Sequence, residues 1–387
     1  MTYSEVELAF DAGQVRSPLG RTVWSLELSL DETLALVPGV PFDLPRRPDV
    51  LVIGGGIQGL AAAKACEESG MVVVLIEAGS RLALGSSGRA AGSLCPELHF
   101  ETDGAEFVDL ARQSLRIYSE WLVGSSCLRR LPWLVLDPSA YLSGNLPPGA
   151  CLLSRSETQA CEPHVAARRA VWIPRQGHVN PLRAASWLAS QLAHTATGLG
   201  ALSLRLHRGR LAAVRTTQGD FWPKHVIVAS GGYGMPVGRR TAVFRKGHLL
   251  ATGEAPFRLS SVIAAEGGNV TQLPTGQLVT GGGASAATSR EVCERDVALS
   301  LQRLARLIPS AASIPVDVTW TCFRPAAVDG RAVVGRVEEL SDVLVTQGHE
   351  RTGLTIAPAV GRLLASMILK PGTAAPRCFL PPKLALP

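Results

Sequence analysis

The spacing of apolar residues changes several times along this chain, and each change marks an element. Residues 22–30, Thr22-Val23-Trp24-Ser25-Leu26-Glu27-Leu28-Ser29-Leu30, alternate apolar with polar and predict a half-buried strand. Pro38-Gly39-Val40-Pro41 and Leu44-Pro45-Arg46-Arg47-Pro48 read as a stiff linker, so residues 1–47 are expected to form an arm leading into the main fold. The pattern then shifts. Val50-Leu51-Val52-Ile53 is a continuous apolar run of the kind buried on both faces of a parallel sheet. Gly54-Gly55-Gly56-Ile57-Gln58-Gly59 follows, and residues 60–69 carry a helical face of Ala61, Ala62, Ala63, Ala65 and Cys66. Gly70 closes that helix, and residues 71–76 form a second apolar strand ending in Glu77. This is a complete βαβ opening. Helical spacing returns in 105–122, through Phe107, Leu110, Leu115, Tyr118 and Leu122, and again in 181–194, 292–307 and 357–369. Residues 225–229 and 342–346 are further buried strands, so the pattern predicts an α/β fold.

Composition narrows the class. At 387 residues the chain suits one large α/β enzyme with an inserted lobe, or two to three units, and can bury a sizeable core. Only 18% of residues are charged, which fits buried parallel strands. The net charge of +6 is thinly spread; its nearest clusters are Arg129-Arg130, Arg168-Arg169 and Arg239-Arg240. A nucleic-acid groove needs a concentrated basic stripe, so none is expected. An anionic cofactor or substrate accounts for a mild excess. The eight cysteines contain no CxxC pair, and no metal is expected. No apolar run reaches the roughly 18 residues of a membrane span. The start, Met1-Thr2-Tyr3-Ser4-Glu5, lacks the layout of a signal peptide, and reduced thiols in a cytoplasm are expected.

The chemistry begins at Gly54-x-Gly56-x-x-Gly59, which follows an apolar strand and opens a helix, with Glu77 ending the next strand. Gly54 permits the tight turn, Gly56 lets the backbone approach a pyrophosphate at the helix N-terminus, and Gly59 allows close helix–strand contact. Glu77 is placed to accept hydrogen bonds from ribose hydroxyls. That fingerprint does not separate FAD from NAD. Ser86-Ser87-Gly88-Arg89-Ala90-Ala91-Gly92 is small enough to lie against a flat ring. Gly348-His349-Glu350-Arg351-Thr352-Gly353, between a strand and a helix, makes a second approach site for a polar ligand. A single-lobe nicotinamide enzyme has no reason to return to its cofactor so near the C-terminus.

These motifs, in this order, make the chain resemble the D-amino-acid-oxidase family of flavoproteins, nearest to glycine oxidase and related secondary-amine oxidases, over residues 48–370. Besides the fingerprint and the Ser86 loop, the resemblance rests on Glu157 through Glu162-Pro163, Gly177-His178-Val179-Asn180-Pro181, Val228-Ala229-Ser230-Gly231-Gly232 and Arg245-Lys246-Gly247-His248. Gly276-Gln277-Leu278-Val279-Thr280-Gly281, Arg324-Pro325 with Asp329-Gly330 and Gly335, and Gly348-His349 with Gly353 and Pro358 complete it. It implies a Rossmann-type FAD-binding domain with a parallel sheet, discontinuous over 48–110, 161–235 and 321–387, and an antiparallel-sheet substrate lobe at 111–160 and 236–320. It implies FAD-dependent oxidation of an amine or amino acid, hydride passing from the carbon beside nitrogen to flavin N5. The products are an imine and, with oxygen, hydrogen peroxide. A dehydrogenase passing electrons to a carrier, and a flavin-binding subunit of a heteromeric oxidase, stay open as alternatives. Assembly with further copies of the chain is equally open.

Residue by residue, the resemblance assigns FAD contacts to Gly54, Gly56, Ile57, Gln58, Gly59, Glu77, Ala78, Ser86, Ser87, Arg89, Ala91, Gly92, Ser230 and Gly231. Near the C-terminus it adds Arg324, Gly348, His349, Arg351, Thr352, Gly353 and Leu354. Arg324 aligns with the arginine that pairs with the substrate carboxylate, a match between guanidinium fork and carboxylate. Arg351 aligns with a second arginine at the substrate entrance, and His349 lines the ring, more as a hydrogen-bonding support than as a proton carrier. The first N–H groups of the last helix, Gly353 and Leu354, face the reduced flavin's negative charge. Cys322 occupies the place of the cysteine that carries covalent flavin in monomeric sarcosine oxidase, while the arginine pattern is that of glycine oxidase, whose flavin is not covalent. Non-covalent FAD is the favoured expectation. Trp320 and Tyr233 are candidate apolar walls, and residues 281–288 a candidate mobile entrance loop.

Overall fold

The structure, a computed structural model, describes residues 5–9, 21–138, 146–232, 243–285, 289, 291–327 and 330–382. Tyr233, Asp329 and residues 286–288 of the expected entrance loop lie outside the described residues.

Three sheets organise these residues. The six-stranded sheet runs Val333–Val337, Leu340–Gln347, His225–Gly231, Val50–Ile53, Val73–Glu77, Thr195–Thr197. Its strands are parallel except the first pair. All four side chains of Val50–Ile53 are buried, as a continuous apolar run requires when helices cover the sheet. The helix after the fingerprint, Ile57–Glu68, crosses over to the Val73–Glu77 strand. The closing helix Gly353–Leu369 packs on it through Gly361, where a Cβ would stand 2.4 Å from the Ala61 carbonyl oxygen.

The nine-stranded sheet is antiparallel apart from the Leu128–Leu136 and Val262–Ala265 pair. Its edge strand Val316–Ala326 pairs along its length with Val243–Glu254. Strand Ala170–Val179 also belongs to this sheet, and Asn180 then caps the Pro181–Ser190 helix, its side chain accepting from Leu182 and Arg183 N–H at 3.1 Å. The helix expected over 105–122 runs Phe100–Trp121 and bends where Gly104 adopts φ 82°.

The arm differs from expectation. Residues 22–30 do not form a strand: Val23–Leu26 is one helical turn and Leu30–Ala35 a short helix. The reason is local capping. Ser29 accepts from the Glu32 N–H at 3.2 Å while the Glu32 carboxylate accepts from the Ser29 N–H at 2.8 Å. Tertiary packing completes the change, because Val23 and Trp24 are fully buried. Strand Glu5–Ala9 is stitched to Ala201–His207, extending a four-stranded antiparallel sheet that the sequence reading did not foresee. Gly39 exchanges hydrogen bonds with Thr197. Residues 5–9 and 21–47 are therefore built into the fold rather than hung from it.

Candidate functional site

The carboxyl ends of Val50–Ile53, Val73–Glu77, His225–Gly231 and Leu340–Gln347 open on one cavity of about 1050 Å³, which continues to the inner face of the nine-stranded sheet. This is the crevice where open parallel sheets bind dinucleotides.

Each fingerprint glycine has a measurable reason. Gly54 sits at φ +114°, and a Cβ there would lie 2.6 Å from the Ala229 carbonyl oxygen. At Gly59 a Cβ would meet the Gly54 oxygen at 1.9 Å. Gly56 is the N-cap of Ile57–Glu68 and lines the cavity together with Ile57 and Gln58, which sets the N-terminus of that helix at the cavity wall. Glu77 spans the turn, one carboxylate oxygen accepting from Gly55 N–H and the other from Gly79 N–H, both at 2.7 Å. Glu77 also lines the cavity.

The loop 86–92 is fixed from three sides. The Ser87 hydroxyl accepts from Ile57 N–H at 3.0 Å, and the Ser86 hydroxyl donates to the Phe323 carbonyl. Trp320 Nε1 donates to the Arg89 carbonyl at 3.1 Å, and Trp24 Nε1, from the arm, donates to the Ala90 carbonyl at 2.9 Å. His178 Nε2 lies 3.0 Å from the Ala91 carbonyl, and burial lowers its pKa to about 4. The neutral imidazole therefore donates there.

At the other end, Gln58 Nε2 donates to the Gly353 carbonyl at 2.7 Å, which turns its Oε1 toward Thr346. The Thr346 hydroxyl donates to that oxygen at 3.0 Å. A hydroxyl has one hydrogen, so the 2.7 Å contact between Thr346 and His349 Nε2 requires Nε2–H to be the donor. His349 is thereby locked in one neutral tautomer, with burial lowering its pKa to about 4. Its Nδ1 is a buried acceptor without a protein partner. Glu350, next in sequence, has a left-handed φ of 48°, which sends His349 inward and leaves Arg351 exposed.

Eighteen expected residues line the cavity: Gly54, Gly56, Ile57, Gln58, Glu77, Ala78, Ser86, Ser87, Ala91, Gly92, Ser230, Gly231, Arg324, Gly348, His349, Arg351, Gly353 and Leu354. Gly59, Arg89 and Thr352 do not. Gly59 is the helix–strand contact; Arg89 is buried and donates through Nε to the Thr321 carbonyl at 2.6 Å; Thr352 donates to the His349 carbonyl at 2.7 Å. Trp320 braces the loop instead of forming a wall. The walls that sequence did not signal are Trp133, Leu98, Leu249 and Asn269. His248 also reaches the cavity, yet both its nitrogens are engaged: Nδ1 with Asp296 at 2.8 Å, Nε2 accepting from Cys293 N–H at 3.2 Å.

Cys322 is buried at the cavity, its thiol pointing to the Ser86 carbonyl at 3.8 Å. Burial pushes its pKa up, although the Arg324 and Arg89 charges pull the other way. A group that must become a thiolate to attack is held as a thiol.

An extended flavin dinucleotide fits these residues. Gly54 and Gly56 bring bare backbone to the cavity wall, and Ser230 Oγ and His349 Nδ1 are buried polar atoms without protein partners. Fold and cavity together define a dinucleotide-dependent oxidoreductase with its second sheet as the opposite wall. The family model described as "DAO: FAD dependent oxidoreductase" matches residues 49–367, and the chain belongs to that family. The glycine oxidase of Bacillus subtilis (strain 168) is 27% identical over 355 residues, spanning 84% of this chain and 94% of that protein. The crystal structure of glycine oxidase from Geobacillus kaustophilus superposes with TM-score 0.74 at 24% identity, covering 84% of this chain and 95% of that one. That of L-proline dehydrogenase from P. horikoshii gives TM-score 0.77 at 18% identity, covering 87% and 96%. These last two likenesses concern the fold. Among the described residues no helix is long and apolar enough to cross a membrane, and no group of three metal-binding side chains occurs.

Proposed function

We propose that this protein oxidises an amine or amino acid with non-covalent FAD, the Rossmann-type sheet holding the cofactor and the nine-stranded sheet the substrate. One observation carries the reading. Arg324 projects from the nine-stranded sheet into the cavity and has no carboxylate partner among the described residues. A half-buried guanidinium without an acid is a receptor for a carboxylate. FAD, when bound, takes up the hydride lost from the carbon beside the substrate nitrogen, leaving an imine that water hydrolyses. The chain's own part is to hold and to exclude. Arg324 fixes the carboxylate end, while Trp133, Leu249 and Leu98 keep water from the reacting carbon. Of the three histidines that line the cavity, His248 is engaged at both nitrogens and His99 Nδ1 lies 3.0 Å from Asp103, while His349, its Nε2–H committed to Thr346, keeps an unpartnered Nδ1. The eight unpaired cysteines support a reducing compartment.

The test is anaerobic bleaching of the bound flavin by a panel of glycine, sarcosine, proline, D-amino acids and simple amines. Peroxide formation under air assigns oxygen as acceptor; fast bleaching without peroxide assigns a carrier. A flavin that no member of the panel reduces overturns the reading.

A further inference from the structure

The motif Arg245-Lys246-Gly247-His248 lies on strand Val243–Glu254, directly opposite Val316–Ala326. Arg245 pairs with Arg324 and Gly247 with Cys322, so these four residues share one face of the sheet. The Arg324 side chain does not rise straight from its strand. It lies diagonally across the neighbouring strand and covers Gly247. A Cβ at Gly247 would stand 2.0 Å from Nη2, 2.9 Å from Cζ and 3.2 Å from Nε of Arg324. The plane of the guanidinium thus occupies the volume that any other residue's side chain would fill. The same Nη2 donates to the Gly283 carbonyl at 2.9 Å. The bare backbone of Gly247 and the carbonyl of Gly283 together form a seat. Gly247 has no left-handed φ, and its Cβ would meet no backbone atom among its nearest neighbours, only this guanidinium.

We propose that Gly247 is a positioning residue for carboxylate recognition, required because its missing side chain leaves room for the Nη2 end of the Arg324 guanidinium over the strand. The proposal rests on the reading of Arg324 as the carboxylate receptor. With Nη2 tied to Gly283, the other edges of the fork remain for the ligand, and a bidentate pair demands that this orientation be held. A methyl group at position 247 displaces a flexible side chain end rather than backbone, so it disturbs recognition without disturbing the fold.

The experiment titrates acetate into the FAD-loaded wild-type protein and into Gly247→Ala, Arg324→Ala and Arg324→Lys variants. The readouts are the flavin absorption spectrum and competition with the best substrate of the panel. Gly247→Ala is expected to weaken acetate at least about tenfold and to raise KM for the carboxylated substrate, with FAD content, thermal midpoint and kcat near wild type. In an Arg324→Lys background, where no planar fork needs the seat, the same substitution is expected to add less than about twofold. Unchanged acetate affinity in Gly247→Ala, with Arg324→Ala weakened, overturns the role of Gly247 alone. Unchanged affinity in Arg324→Ala overturns the carboxylate reading on which it rests. Loss of FAD or of folding in Gly247→Ala, or a full additive effect in the lysine background, also overturns the proposal.

Discussion

Trp24 is the point at which the N-terminal segment touches the cofactor loop, and it allows a graded test. Its indole is fully buried, edge-on to Trp320 at 6.4 Å between centroids and 5.7 Å from His178, while Nε1 donates to the Ala90 carbonyl at 2.9 Å. Trp24→Ala empties that volume and is expected to cost about 3–5 kcal/mol. Trp24→Phe keeps most of the apolar contact but leaves the Ala90 carbonyl unpartnered, about 1–3 kcal/mol. Both penalties fall on the loop that carries Ala90, Ala91 and Gly92 along the cavity wall. If FAD must reorder that loop on binding, each 1.4 kcal/mol is about tenfold in affinity. The expected losses are therefore tenfold or so for Trp24→Phe and a hundredfold or more for Trp24→Ala. Quenching of FAD fluorescence on titration measures the affinity, and thermal melts with and without FAD measure stability. The holoprotein midpoint is expected to fall by about 5–10 °C in Trp24→Ala. An alanine variant that binds FAD within twofold of wild type would refute the coupling, even if its stability dropped, because the segment would then brace the fold and not the loop.

Other consequences are as direct. Burial holds His178 and His349 neutral, each at a pKa of about 4 against 6.5 when unfolded. Both are depressed, so the unfolded chain binds more protons as pH falls. Their stabilisation is complete above pH 6.5 and is lost between 6.5 and 4, on the order of 3 kcal/mol for each; urea midpoints measured across that window check it, and a flat profile contradicts it. Gly59→Ala places a methyl 1.9 Å from the Gly54 carbonyl oxygen and is expected to abolish FAD loading, as absorbance of the purified protein would show. Acid denaturation followed by filtration is expected to release all yellow colour, given the buried and protonated Cys322 thiol; colour retained with the protein would contradict that.

Much of this architecture is written locally in the sequence. The βαβ opening is legible because Val50–Ile53 is apolar at every position and Gly54, Gly56 and Gly59 each answer a backbone clash. The arm was misread because alternation at 22–30 imitates a strand, whereas the Ser29–Glu32 capping box, also present in the sequence, decides for a helix. The cavity's second wall was the least legible. Trp133 and Asn269, distant in sequence, are brought together by the nine-stranded sheet, and Leu98 joins them from the short helix Pro96–His99. Arg89 shows the opposite failure: its motif position suggested a cofactor contact, but its guanidinium turns inward to the Thr321 carbonyl.

The charges around the cavity mouth narrow the substrate further. Arg245 is paired with Glu350 at 3.4 Å. Burial opposes ionisation of Asp103, yet hydrogen bonds from His99 and Thr102, with the charges of His99 and Arg351, hold its carboxyl below the usual range. The contacts of Asp103 are with His99 at 3.0 Å and Thr102 at 2.6 Å, and the charge of the exposed Arg351 is the smallest of these causes. Of the three arginines that line the cavity, Arg245 is paired with an acid in this way, and Arg324 is the half-buried one with no carboxylate partner among the described residues. A second carboxylate placed at Arg245 would have to displace Glu350, losing an existing charge pair to form the new one. An amine without a carboxylate would leave Arg324 partly desolvated and unpaired, which costs more than an exposed cation does. On the proposed reading of Arg324 as the carboxylate receptor, the Arg245–Glu350 pair leaves Arg324 as the half-buried arginine free to take a carboxylate.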